Sequence, residues 1–298
     1  MSLLTERSND ADLSSVVENN RTLTSSRTVT GSKLRSWLGN WWVLIPLAVL
    51  LAWALLPGIF TGADPITGVP QEKLSAPSLA HPFGTDHLGR DVYARVVQGT
   101  SQTLLTAGLA CLVGSVVGSL LGLLASTAGR FVDSVAMRFV DVVLAVPAFL
   151  IALILVTATE PGPLSLGLGV GIASIAAFAR LVRTEVLRVR SRDFVQAALM
   201  SGGGYLTVLR RHIIPHVIGP VLALLAVDLG AAILAISGLG FLGFGSPPPT
   251  PEWGLLISEG RQYLTVAWWL TTLPGLVIIT TVVLTATLGR TINKAFRF

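Results

Sequence analysis
Charged side chains are scarce in this chain. Only 12% of its 298 residues are Asp, Glu, Lys or Arg, against about 25% in soluble domains. With 52% hydrophobic residues and a mean hydropathy of +0.71, a soluble fold is excluded. Several continuous apolar runs reach the roughly 20 residues that cross a bilayer. The runs do not alternate polar with apolar, which excludes a β-barrel. There is one cysteine, Cys111. That excludes an internal disulfide and a Cys-based metal site and leaves a small packing residue in an apolar run. No G-x-x-x-x-G-K-[ST] stretch occurs, so the chain has no P-loop for ATP. Gly167, Gly169 and Gly171 follow no strand and make no dinucleotide fingerprint. His212 and His216 fall on one side of the membrane and His81 and His87 on the other, so no catalytic set is expected and no enzyme activity. The net charge of +5 and pI near 10.0 reflect loop residues that set topology, not a nucleic-acid partner.

What is present predicts an all-α polytopic membrane protein with six transmembrane helices. Residues 1–36 are polar and read as a disordered cytoplasmic tail. Residues 37–100 hold the first span, Trp41 to Phe60, with Trp37, Trp41 and Trp42 as an aromatic belt, and then an irregular external segment over 61–100. Residues 101–290 hold the other spans, at about 102–127, 136–158, 164–182, 216–243 and 266–288; 291–298 form a second cytoplasmic tail. Gly114, Gly118 and Gly122 let a neighbouring helix approach the second span closely. Arg130, Asp133 and Arg138 mark a short loop, and Pro147 breaks the third span. Trp253 is expected at the outer interface, and Trp268 and Trp269 at the start of the sixth span. Six spans put both termini on one side. That side carries 17 of the 21 Lys and Arg, which makes it cytoplasmic.

The polar island 184–215 is therefore cytosolic. Within Asp193–Pro215, Phe194, Val195, Ala198, Leu199 and Gly202 share a helical face, and Gly202, Gly203 and Gly204 stop that helix. A second short helix follows, and Pro215 starts the next span. Such a helix suits a groove on a partner; it equally suits the lipid headgroups, which arginines favour. Asp228 lies inside the fifth span and Asp141 near the start of the third. Carboxylates at that depth are candidates for a translocation pathway, or polar contacts between helices. A metal site from His81, Asp86, His87 and Asp91 is conceivable, but the set is looser than a dedicated site needs, and no metal is expected.

Gln196-Ala197-Ala198, Gly202 and His212-Ile213-Ile214-Pro215 resemble the "EAA" loop of permease subunits of ATP-binding-cassette (ABC) importers. The departure is Gln196, where that family usually has Glu. His81 to Leu104 resembles the segment before the second span of C-type permeases of the dipeptide, oligopeptide and nickel family, and Phe241 to Leu264 resembles that family's loop between its last two spans. The resemblance covers about residues 80–290. It implies a type I ABC importer permease fold, MetI-like, in which Gln196, Ala197, Ala198, Gly202, Arg211, His212 and Pro215 couple to the ATPase. In the same reading Thr85, Asp86, Leu88, Gly89, Arg90 and Asp91 cap and orient a helix. The implied partners are a homologous B-type permease completing a heterodimeric pore, two cytosolic ATPase domains that bind ATP and magnesium, an external solute-binding protein, and the bilayer of the inner membrane. The implied cargo is a dipeptide or oligopeptide. Nickel–metallophore complexes, glutathione, another small solute, an ion-coupled transporter and a poreless scaffold are the alternatives.

Overall fold
The computed structural model describes residues 41–296. The expected tail over 1–36, Trp37 and residues 297–298 lie outside them. Every regular element described is a helix; the only strand-like pairing is an isolated bridge between Thr85 and Asp91.

Helix α1 spans Trp41–Leu55 and contains Pro46; a single turn, Pro57–Phe60, follows it. Helix α2, Val92–Thr127, starts ten residues before the expected second span. The start is set by Asp91, whose carboxylate accepts from the Ala94 N–H at 2.8 Å and satisfies one orphan donor of the first turn. At 36 residues α2 is about 54 Å long. It therefore overruns a hydrocarbon core of about 30 Å.

Arg130, Asp133 and Arg138 are not a loop: they belong to α3, Arg130–Ala145. It meets α4, Ala148–Ala158, at a bend of 87°. Pro147 forces the bend, because the residue before a proline is pushed out of helical geometry, and Val146 is extended. Helix α5, Pro163–Arg190, opens on a proline. Helix α6 spans Asp193–Met200. The next stretch departs from the expected break at Pro215. Helix α7 (Tyr205–Val208), a π turn (Leu209–Ile213) and α8 (Ile214–Phe241) run together. Pro215 removes one donor from the ladder, and the backbone widens to π spacing just before it instead of stopping. Helix α9 spans Trp253–Gly260 and α10 spans Trp269–Phe296. Helix α10 thus continues through residues 291–296, where a tail was expected.

Among the described residues four stretches are long and apolar enough to cross a membrane: α2, α5, Tyr205–Phe241 and α10; the bent α3–α4 pair makes a fifth. Helix α1, at 15 residues, is shorter than the roughly 20 that span a bilayer.

The glycines of α2 face α5. A Cβ on Gly114 would lie 2.7 Å from the Ser174 side chain, and one on Gly118 2.5 Å from the Ile175 carbonyl oxygen. Gly171 answers from α5, 2.8 Å from the Ala110 carbonyl oxygen. Small residues on both helices bring the backbones together, which is how packing stabilises helices in lipid. Helix α2 also separates two poles. Its first turns meet the 246–260 segment: the Trp253 indole N–H donates to the Val96 carbonyl at 3.1 Å. Near its end Leu123 packs on the cluster of Val182, Val186, Val195, Leu209 and Ile213.

Candidate functional site
At the second pole, Val195 turns α6 inward. It is fully buried against Val186 of α5 and Ile213 of the π turn, with Ala198 and Leu199 packed beside it. Of the apolar face expected to meet a partner, Val195 is thus spent within the chain and Ala198 and Leu199 are half-buried, while Phe194 and Gly202 remain exposed. Burying one valine of this kind is worth about 1.5–3 kcal/mol, enough to fix an eight-residue helix that could not persist alone. The most exposed apolar side chains of the loop lie beside that face: Met200 is 86% exposed and Leu206 66%. Gln196, Ala197, Gly202, Arg211 and Pro215 are exposed as well, and His212 is half-buried.

The loop backbone closes on itself. Gly202 has φ of +83°, a conformation open to glycine at no steric cost. Its N–H bonds the Leu199 carbonyl at 3.1 Å, and the Gly203 N–H bonds the Ala198 carbonyl at 3.2 Å. This is a Schellman termination, which satisfies carbonyls the ending helix would orphan. The Gln196 side-chain amide donates to the Arg190 carbonyl at 3.1 Å, tying α6 to the end of α5. Arg190 in turn lies 5.6 Å over the Tyr205 ring.

Between the poles, Asp228 sits where α8 meets α5 and α2. It accepts from the Ser174 hydroxyl at 3.0 Å, and the Cys111 thiol lies 3.7 Å away. Asp141 is exposed and ion-paired with Arg180. Asp133 pairs with Arg183, with one N–O distance of 2.7 Å. Two ion pairs therefore join α3 to α5.

At the first pole, Arg90 and Arg95 are buried to 4% and 0% exposure. Arg90 Nε donates to Asp86 at 2.6 Å, and both guanidinium groups reach one Glu259 oxygen, at 3.1 and 3.0 Å. Arg95 also donates to the Pro65 carbonyl at 3.1 Å. Asp86 accepts from the Leu88 and Arg90 backbone N–H groups. Gly89 has φ of +81°, and a Cβ there would strike the Val69 carbonyl. His81 Nδ1 meets Asp91 at 2.7 Å and Nε2 meets Glu72 at 3.3 Å. The Asp91 hydrogen bond, with the charges of Asp91 and Glu72, raises the His81 pKa above its ordinary value. His87 stacks on Tyr263. Among the described residues no three His, Cys, Asp or Glu gather as a metal site. Trp253 is not interfacial: it is fully buried in the core. Glu252 beside it is 2% exposed, accepts from the Ser246 N–H at 2.8 Å, and is pushed up in pKa by burial. Arg95, Glu252 and Glu259 are the sites that sequence reading missed. Only the oddity of an arginine within VYARVVQ hinted at one of them.

Comparison with known proteins adds to this geometry. Residues 114–298 match the family described as binding-protein-dependent transport system inner membrane component. The chain is 34% identical over 257 residues to a probable D,D-dipeptide transport system permease protein of Escherichia coli, covering 85% of this chain and 86% of that one. It is 33% identical to a dipeptide transport system permease protein of Alkalihalophilus pseudofirmus, over 79% of this chain and 78% of that one. A glutathione transport system permease protein of Pectobacterium atrosepticum is 36% identical, over 74% of this chain and 73% of that one. Among solved structures, the MetNI methionine ABC transporter in an inward-facing conformation shares the fold. Its TM-score is 0.56 at 16% identity, over 68% of this chain and 96% of that chain.

Proposed function
This chain belongs to the binding-protein-dependent transport system inner membrane component family, and on that premise we propose that it forms half of the translocation pore of a di- or oligopeptide importer. It is an inner-membrane permease subunit of an ABC importer, with a MetI-like fold; ATP hydrolysis belongs to separate ATPase subunits. In the reading advanced here the pore is completed by a homologous B-type permease. Two ATPase domains hold ATP and magnesium, and an external binding protein delivers cargo. The peptide cargo takes its support from relatives named for dipeptide and peptide transport.

The single observation behind the coupling role is the outward pair Met200 and Leu206 on a loop locked from within by Val195. A rigid apolar prominence can fill a pocket on a partner and transmit its movement without ordering first, so little binding energy is lost to entropy. ATP-driven closure of the ATPases would carry the loop, rock the helices and switch the side to which the cavity opens. The proposed topology is six spans with both termini and the loop in the cytosol, supported by the positive-inside count. Asp228 borders the proposed pathway only as a helix contact, since its oxygens face Ser174 and Cys111.

The topology is tested with a cysteine at Ser201 in a Cys111→Ser background. An impermeant thiol reagent should label it only after the membrane is opened. Labelling from outside intact cells would overturn the orientation. Dipeptide uptake by cells carrying the complete transporter tests the cargo.

A further inference from the structure
At the first pole two buried polar atoms, Arg95 Nε and His87 Nδ1, find no hydrogen-bond partner among the described residues. The other nitrogens of Arg95 are engaged: one donates to the Pro65 carbonyl at 3.1 Å and another to Glu259 at 3.0 Å. Its Nε stands 3.9 Å from an Asp86 oxygen. That is too far for a direct bond and is a gap that a water can bridge. A buried donor left unbonded is costly, so the pair calls for a partner that the chain does not supply. Both orphans belong to one small pocket. Arg95, His87, Asp86 and Glu259 line a space of about 10 Å³, whose other walls include Leu256 and Leu270. This is room for one water molecule and little more.

The lining also selects the chemistry of the ligand. A guanidinium N–H can only donate, and an ionised carboxylate can only accept. A cation in the pocket would face the Arg95 guanidinium, and an anion would face the carboxylates of Asp86 and Glu259. A neutral molecule that both donates and accepts satisfies the two sets at once. We propose that the pocket binds a single water molecule, which accepts from Arg95 Nε–H, bonds His87 Nδ1 and donates to Asp86. Three bonds are what a buried water typically makes. Asp86 and His87 precede α2, and Arg95 lies in its first turns. The water therefore fastens His87, which also stacks on Tyr263, to the start of α2. It completes the lock of Asp86, Arg90, Arg95 and Glu259 with a bond that no side chain in the lock makes.

The test is an electron cryo-microscopy map of the purified transporter complex, at a resolution that shows ordered water. One peak is expected between Arg95 and His87, about 2.7–3.2 Å from both Nε and Nδ1. His87→Phe keeps a ring to stack on Tyr263 and removes Nδ1, so the peak should be lost. His87→Asn places an oxygen at the same remove from Cβ as Nδ1, so the peak should be kept. A wild-type map without the peak would overturn the proposal. So would a peak unchanged in His87→Phe, or a folded His87→Asn without one. A peak farther than about 3.2 Å from either nitrogen would also overturn it, because the occupant would then be an ion or a water held by other groups. Should His87→Phe fail to fold, the wild-type and His87→Asn maps decide between these outcomes.

Discussion

The amide of Gln196 donates to the carbonyl of Arg190 at 3.1 Å, a bond that glutamate in its ionised form could not make. The carbonyl belongs to the last turn of α5, where the helix end is partially negative. Gln196→Glu would replace a donor with a second negative group. The expected cost is about 1 kcal/mol. Hydrogen exchange of the α6 amides should accelerate about fivefold in Gln196→Glu, with a smaller change in Gln196→Ala. Unchanged exchange in both variants would show that the bond contributes nothing.

Gly202 tests the loop's closure. No atom lies within 4 Å of a Cβ placed there, so substitution there strains the backbone without a clash. Gly202→Ala should lose about 1–2 kcal/mol, and Gly202→Asn less, because asparagine tolerates this region. Thermal unfolding of the purified transporter should rank the three as Gly, Asn, Ala. Equal midpoints would contradict the argument.

Glu259 holds two buried guanidinium groups at once. Removing it leaves both without their shared carboxylate. Breaking a buried pair from one side costs about 3–5 kcal/mol. Glu259→Ala should sharply reduce the yield of folded protein, and Glu259→Asp should fall between it and the wild type. Normal yield and unfolding temperature for Glu259→Ala would show the lock to be dispensable.

His81 predicts a pH dependence. Its folded pKa is raised, first by the hydrogen bond to Asp91, so protonation favours the folded state. The stabilisation is complete below the unfolded value of about 6.5 and is lost as pH rises through the raised folded value. The unfolding temperature of the wild type should therefore fall over that window relative to His81→Gln. Parallel curves for the two proteins would rule the linkage out.

Much of the architecture was legible because its signals are local. The apolar runs, the close-approach glycines of α2 and the stop at Gly202 each depend on a few neighbours in sequence. What was missed depends on distant partners. Arg95 finds Glu259 across 164 residues, and a charge count alone assigns such a residue to a loop. Trp253 reads as interfacial because its burial is supplied by α2. Val195 reads as outward because the helix faces that cover it come from α5 and the π turn. In the coupling loop the helix and its stop were readable, but which side faces out was not.

If the outward pair on the loop engages the ATPase subunits, charging both side chains must release those subunits. The direct measurement is co-purification of those subunits with the Met200→Asp/Leu206→Asp variant, alongside peptide uptake. Met200 and Leu206 are 86% and 66% exposed, so the variant should insert and fold as the wild type does. A desolvated apolar contact at a protein interface is worth about 2 kcal/mol or more. Retention of the ATPases and uptake should therefore each drop by at least about tenfold. Wild-type retention and uptake in a well-inserted variant would contradict the account.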